Sequence, residues 1–464
     1  MADAQHRNVR LAAVISEAGW KHGDVAAWFV RVAMENGAHQ FAHVGRSHVS
    51  KWVAGHAPSG RGPDFLREAL SRKLGRTITA HEIGLGAAPS PQRTGPDWST
   101  ETLSALTDLG RLDVDLDRRS ALGAAAYSVA ALALPVSSWW SQMADRGAGR
   151  SVPGSRAVGR GDLEAVRDMT RMFSRIDQKH GGGHARTAVV QYFTSDVVSL
   201  LHGRFTDDGI RRAMFAAAAE LAYLAGWMAF DNSEHATAQR YFTGSVKLAA
   251  EADDPPMAAH VLRAMAHQAV DLGHPQHALD LAAASVDGRR YALATPRERS
   301  LLGVVHARAL AATGATARAA AALLRAEDDL RATSDGDDEP GRVFFFKEAS
   351  LAHETACTLR DSGDLDGALS QFRRSVRTRQ ASSFARTHAV TLGYFGAVQA
   401  RQGLIEEACA TWNRALDAMD GVRSGRTRQT AVQMRSALSP YRQRGVRAVR
   451  ETDARAATFL SDVA

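Results

Sequence analysis

Apolar positions near the N-terminus recur at helical spacing. Leu11, Val14, Ile15 and Ala18 follow the i, i+3/i+4 rule and predict an amphipathic helix over residues 7–18, ended by Gly19. Asp24 suits the N-cap of a second helix with Val25, Trp28, Phe29 and Val32 as its apolar face and Asn36-Gly37 as its stop. Ser47 is placed to cap a third, Ser47 to Ala54, stopped by Gly55 and Pro58. Pro63 opens a fourth at its first position, with Phe65, Leu66, Ala69, Leu70 and Leu74 inside. Thr79 caps a short fifth in TAHEIGL. Residues 1–86 therefore predict a compact all-helical domain.

Beyond it the pattern changes twice. Residues 87–161 read as a linker: AAPSPQRTGPD (87–97) and ADRGAGRSVPGSRAVGRG (144–161) are rich in turn formers. Between them lies an apolar stretch, predicted helical over 120–140. Residues 120–144 carry no charge and are long enough to cross a bilayer. Ala, Gly and Ser dominate the stretch and Pro135 interrupts it, so a buried helix or an apolar clasp between domains is expected rather than a membrane segment.

From 162 to 464 the chain reads as helix after helix, with no strand-like alternation. A repeat emerges: a small residue, then Ala five positions on, then an apolar residue four further. It occurs at Ser233/Ala238/Phe242, Gly273/Ala278/Ala282, Gly314/Ala319/Leu323, Gly363/Ala368/Phe372 and Gly403/Ala408/Trp412. The intervals are 40, 41, 49 and 40 residues, and the long one contains the polar insertion SDGDDEPGR (334–342). A period of this kind means stacked helical hairpins. The motif resembles the tetratricopeptide repeat with a stretched period; Tyr223-Leu-Ala-Gly-Trp227 is a loose echo of the consensus first half. The fold class expected is all-α: a small helix-turn-helix bundle followed by a TPR-like α-solenoid, with residues 427–460 as a cap.

Composition adds less than the pattern does. The 464 residues carry a net charge of +7. Residues 1–86 hold 11 Lys/Arg against 7 Asp/Glu, so the N-terminal fifth supplies more than half of that excess, which favours an acidic partner there. Only six of the cations in the whole chain are Lys, so part of the Arg excess reflects a GC-rich genome. Cys357 and Cys409 stand apart with no zinc spacing, the N-terminus is polar, and a cytoplasmic location is expected.

Catalytic signatures are missing: there is no phosphate-binding Gly-rich loop, nucleophile elbow or metalloprotease helix. No enzyme activity and no cofactor is expected. HGGGHAR (180–186) reads first as a Gly-rich turn between helices, and secondly as a nest in which Arg186 helps hold an anion. His39, His43 and His48 lack an obvious further ligand, so no metal is expected.

The third predicted helix is different. Val49, Trp52 and Val53 share one face; Arg46, Ser47, His48, Ser50 and Lys51 point away from it. Short polar side chains flanked by cations suit a helix that enters the DNA major groove, where Arg and Lys meet phosphate or guanine. Lys21 and His22, just before the second helix, are placed to hold a phosphate. SHVSKWVAGHAP resembles the recognition helix and following turn of the lambda-repressor-like (Xre-type) domain, although about ten residues, rather than three or four, separate helices two and three.

A longer set of segments is similar to a group of actinobacterial regulators that join such a domain to TPR-like repeats. These are EAGWKHGDVAAWFVRVAMENG, RSHVSKWVAGHAP and LREALSRKLGRTITAHEIGLG, then GGGHAR, ELAYLAGWMAFD and AQRYF. The resemblance implies a transcriptional regulator of differentiation or secondary metabolism that contacts double-stranded DNA through residues 46–51. A homodimer on a palindromic or repeated operator is expected. On the solenoid, the first helices of the hairpins offer Tyr223, Trp227, Arg263, His267 and His306 to a peptide, small-molecule or protein effector. The alternative is an adaptor that holds proteins and does not bind DNA.

Overall fold

A computed structural model of the chain describes residues 7–76, 78–85, 98–114, 127–149, 156–334 and 338–462. The fold is all-α and solenoid-like. Among the described residues the only strand pairing is a two-residue parallel contact, Ala157–Val158 with Arg204–Phe205.

The N-terminal bundle consists of α1 (Val9–Glu17), α2 (His22–Glu35), α3 (Arg46–Val53) and α4 (Gly62–Leu74). Its core holds most of the apolar faces anticipated from the sequence, with Leu11, Val25, Phe65 and Leu70 fully buried, whereas Trp28 and Leu74 are only half-buried at its margin. The helix ends differ from expectation in physical detail. Asp24 does not cap α2; it sits one turn in and accepts the Lys21 N–H at 2.9 Å, the return half of a capping box. Likewise α3 begins at Arg46 with Gly45 as its N-cap: Ser47 lies inside the helix, and His48 Nδ1 accepts the Gly45 N–H at 3.2 Å. Thr79 and Glu82 exchange the hydrogen bonds of a capping box, yet residues 80–85 turn without forming a fifth helix.

Five hairpins follow the repeat: Asp208–Asp231 with His235–Glu251, Pro255–Asp271 with Pro275–Ser285, Pro296–Ala312 with Thr316–Arg331, Glu348–Asp361 with Leu365–Thr378, and Ala385–Arg401 with Ile405–Ala418. The small residue of each repeat is the left-handed turn residue, with φ of 64° at Ser233, 76° at Gly273, 81° at Gly314, 91° at Gly363 and 83° at Gly403. The repeated alanines 238, 278, 319, 368 and 408 are buried where paired helices cross. A hydroxyl also ties the two helices of three hairpins: Ser245 to the Ala219 carbonyl (2.7 Å), Ser300 to Ala326 (2.6 Å) and Ser375 to Ala349 (2.6 Å). A further hairpin precedes the series, Arg160–His180 with Gly182–Tyr192, and one closes it, Gly425–Leu438 with Arg447–Asp462.

The superhelix closes on itself. The Arg423 N–H donates to the His180 carbonyl (2.8 Å) and the Gly183 N–H to the Arg423 carbonyl (3.0 Å), so the HGGG segment seals the first hairpin against the last. Gly181 has φ +86°, and a Cβ on Gly182 would lie 2.5 Å from the Met228 carbonyl oxygen. The glycines are there for this backbone approach.

The described parts of the segment expected to be a linker with an apolar clasp pack on the body. A helix unforeseen in the sequence, Thr102–Val114 (α5), buries Leu103, Leu106 and Leu109 against the solenoid. Glu251 accepts a hydrogen bond from Thr102, and Asp113 pairs with Arg186 at 2.6 Å. The predicted helix over 120–140 lies partly outside the described residues. Within them, 127–136 is a strap with one 3-10 turn, and a helix begins only at Ser137. The helix Asp208–Asp231 is long and apolar enough to cross a membrane by length and composition; 78% of its apolar window is buried inside the solenoid.

Candidate nucleic-acid interface

The bundle turns one edge outward. On α3, Val49, Trp52 and Val53 face the core, and the Trp52 ring lies 4.9 Å from that of Phe29. Arg46, Ser47, Ser50 and Lys51 are exposed on the opposite side; His48 is half-buried. Lys21 is exposed and His22 half-buried at the N-terminus of α2. The two helices meet at this edge, where His22 Nδ1 and Ser50 Oγ lie 2.9 Å apart. Six of the seven residues singled out in the sequence, Lys21, His22, Arg46, Ser47, Ser50 and Lys51, therefore lie on or beside this edge. His48 is the exception in orientation: its ring nitrogen is committed to the Gly45 N–H, and its face meets the His43 ring at 5.5 Å.

The long connection from α2 to α3 is held in place. Residues His39–Phe41 form a 3-10 turn whose Phe41 is buried edge-on against Phe29 (5.5 Å) and Phe65 (5.6 Å). Asn8 adds a second fixture, donating its N–H to the Val53 carbonyl at 2.9 Å and its side-chain amide to Ile83 at 2.8 Å.

The other end of α2 docks on the solenoid. Arg72 reaches Glu35 (2.6 Å) and Glu68 (2.8 Å), all three nearly buried, and His274 lies 3.5 Å from Glu35. Burial alone would raise the Glu35 pKa, but His274 and Arg72 outweigh it and hold it below the usual carboxylate range. Burial lifts that of Glu68, against the pull of Arg72. The strap is wedged into this contact: the Tyr127 N–H donates to Asn36 (3.1 Å), the Val129 N–H to Glu68 (2.9 Å), and the Tyr127 ring stacks on His274 at 5.9 Å. A cleft of about 1390 Å³ opens beside it, lined by Glu35, His39, Asp271, Arg360, Arg423 and Arg426 among others.

The residues expected to meet an effector separate into three places. Tyr223, Trp227, Arg263 and His267 come together on the inner wall of the superhelix: Arg263 donates to the Tyr223 hydroxyl (3.1 Å) and its guanidinium lies 5.7 Å from the Trp227 ring. The His267 ring stands 5.8 Å from Trp227. Arg186 is elsewhere; it is 2% exposed and closed by Asp113 and Glu234, so it belongs to the packing of α5 and is no part of an anion nest. His306 also stands apart, half-buried with Arg325 and Arg318 nearby; burial first, and then these cations, lowers its pKa. The inner wall is not an open groove. Arg386 spans it to Asp177 (2.9 Å) and Asp231 (3.1 Å), and Arg308 reaches Asp271 (2.7 Å). No group of three or more His, Cys, Asp or Glu side chains placed to hold a metal occurs among the described residues.

The fold and this edge define an all-α chain in which a compact bundle presents a cationic helix while anchored to a closed solenoid. A family model described as the SP15 N-terminal domain matches residues 11–86, nearly all of the bundle. No curated protein and no solved structure matches the chain.

Proposed function

We propose that the protein is a DNA-binding transcriptional regulator whose solenoid receives an effector or partner. The observation that carries this reading is the joint edge of α2 and α3. Lys21, Arg46 and Lys51 are exposed there beside short polar side chains, while every large apolar residue of α3 turns inward. Short polar residues let a helix approach base edges, and unpaired cations neutralise phosphate. α2 gives a rigid link from this edge to the solenoid, because its 14 residues run from His22 at the edge to Glu35 at the docking contact, about 20 Å of helix. An effector that alters the docking contact would move the edge. One bundle offers only a small contact area, so the working form is a homodimer on paired half-sites.

The test is selection of sheared genomic DNA from the host by the purified protein, followed by sequencing of the retained fragments. A shared motif that disappears with the double substitution Arg46→Ala/Lys51→Ala supports the regulator. No enrichment, with the variant folded and indistinguishable from wild type, leaves the adaptor reading.

A further inference from the structure

Inside the superhelix lies a partly enclosed chamber of about 60 Å³ to which helices of several hairpins contribute. Its charges do not balance locally. Arg386 is answered by Asp177 and Asp231, Arg308 by Asp271, and Arg426 turns to Asp271 at 3.5 Å. Glu354 faces Arg308 (3.6 Å) and His267 (3.8 Å). Two further arginines line the chamber with no carboxylate at ion-pair distance among the described residues. Arg263, 2% exposed, is bonded only to Tyr223 and His260. Arg379, 8% exposed, is bonded only to the Ala349 carbonyl (2.9 Å) and the Ser375 hydroxyl (3.2 Å). Each has a buried Nε–H without an acceptor among the described residues. Burial pushes the Arg379 pKa down to about 10. A buried guanidinium without an anion is among the most costly groups a protein can hold.

The rest of the wall suits a ligand. Trp227, Phe345 and Phe346 supply flat apolar faces. Phe345 and Phe346 come from the segment just after the insertion that breaks the repeat period. That segment is anchored by Arg342 on Glu220 (3.1 Å) and Glu298 (2.6 Å). The insertion thus brings an aromatic wall to the chamber, which a regular repeat would leave open. The volume suffices for a few waters or one small oxyanion.

We propose that this chamber is an anion site: it takes the phosphate or carboxylate group of a small ligand between the Arg263 and Arg379 guanidinium forks. Such forks match the geometry of an oxyanion and bind it through charge-assisted hydrogen bonds. This deepens the reading of the solenoid as the sensing part and does not depend on DNA binding.

The test is calorimetric titration of the full chain in a chloride buffer, with inorganic phosphate in one arm and acetate in the other, each paired with a melting curve. Expected is saturable binding of at least one anion, one per chain, with a rise in Tm. The affinity falls about tenfold or more in Arg263→Met and in Arg379→Met, and is unchanged in Arg46→Ala/Lys51→Ala. Should a Met variant fail to fold, Arg263→Lys and Arg379→Lys keep the charge but lose the fork, and weakening is expected there too. The proposal is overturned if neither anion binds saturably, if binding survives the substitutions at 263 and 379, or if it is lost with Arg46 and Lys51, which would place the anion on the DNA edge. Failure of the wild-type chain to bind DNA, with its anion binding intact, would instead remove the regulator reading and leave the site.

Discussion

Trp52 is what keeps the cationic edge of α3 in position. Its ring is 6% exposed and packed on Phe29, so Trp52→Ala removes the largest apolar contact the helix makes. A loss of about 3–5 kcal/mol is expected, read as loss of bundle protection in hydrogen exchange while the solenoid is unaffected. A second residue carries a pH dependence. His353 is 5% exposed, and burial, with Arg379 and Arg426 nearby, pushes its pKa from 6.5 down to about 3, against the pull of Glu354. The folded state therefore binds fewer protons at this site than the unfolded one. Its stabilising contribution is complete above about pH 6.5 and is lost as the pH falls from there toward 3. By pH 5 the cost is about 2 kcal/mol. The Tm of the chain is expected to fall from pH 7 to pH 5, and His353→Gln to fall less steeply; equal slopes would show that this imidazole is already charged in the folded protein.

At the scale of the hairpin, the rule is a left-handed turn residue followed by close helix crossings. For two of the three repeat aromatics the partner helix supplies a glycine: a Cβ on Gly396 would stand 2.5 Å from Trp412 Nε1, and one on Gly226 2.8 Å from the Phe242 ring. Gly396→Ala is expected to cost about 1–3 kcal/mol by overpacking, measured by denaturant unfolding; an unchanged midpoint would mean that the indole moves aside freely. This rule is also why the hairpins were legible in the sequence. Turn glycine and crossing alanine are fixed by local backbone geometry, so they recur at a countable spacing. Helix Thr102–Val114 was not legible, because its Leu103, Leu106 and Leu109 stripe is short and framed by linker-like composition. The role of Arg186 was hidden for a related reason: its partner Asp113 lies 73 residues away, and only the tertiary fold joins them. The inner-wall group of Tyr223, Trp227, Arg263 and His267 was named from the sequence, whereas Arg379, which follows a second helix at the end of a hairpin, gave no signal there.

At the scale of the molecule, the bundle meets the solenoid where Glu35 contacts His274, and a buried ionic cluster of the bundle, Arg72 with Glu35 and Glu68, holds that carboxylate in place. Arg72→Met leaves Glu68, its side chain 7% exposed, without its ion-pair partner, and Glu35, 10% exposed, with only Arg31 at 3.3 Å and His274 at 3.5 Å. Breaking one partner of such a group costs about 3–5 kcal/mol, so the strap at 127–136 is expected to become accessible to limited proteolysis while the solenoid core stays intact. Cleavage identical to wild type would mean that the strap, and not the ion pairs, holds the domains together.

The reading edge itself is tested most directly by the salt dependence of duplex binding. Affinity for a selected genomic fragment, measured by anisotropy over a range of chloride concentrations, should fall steeply with salt. In Arg46→Ala/Lys51→Ala the slope of log K against log salt should drop by about 2, one for each phosphate contact removed. A folded double variant with the affinity and slope of wild type would contradict the assignment of this edge to DNA.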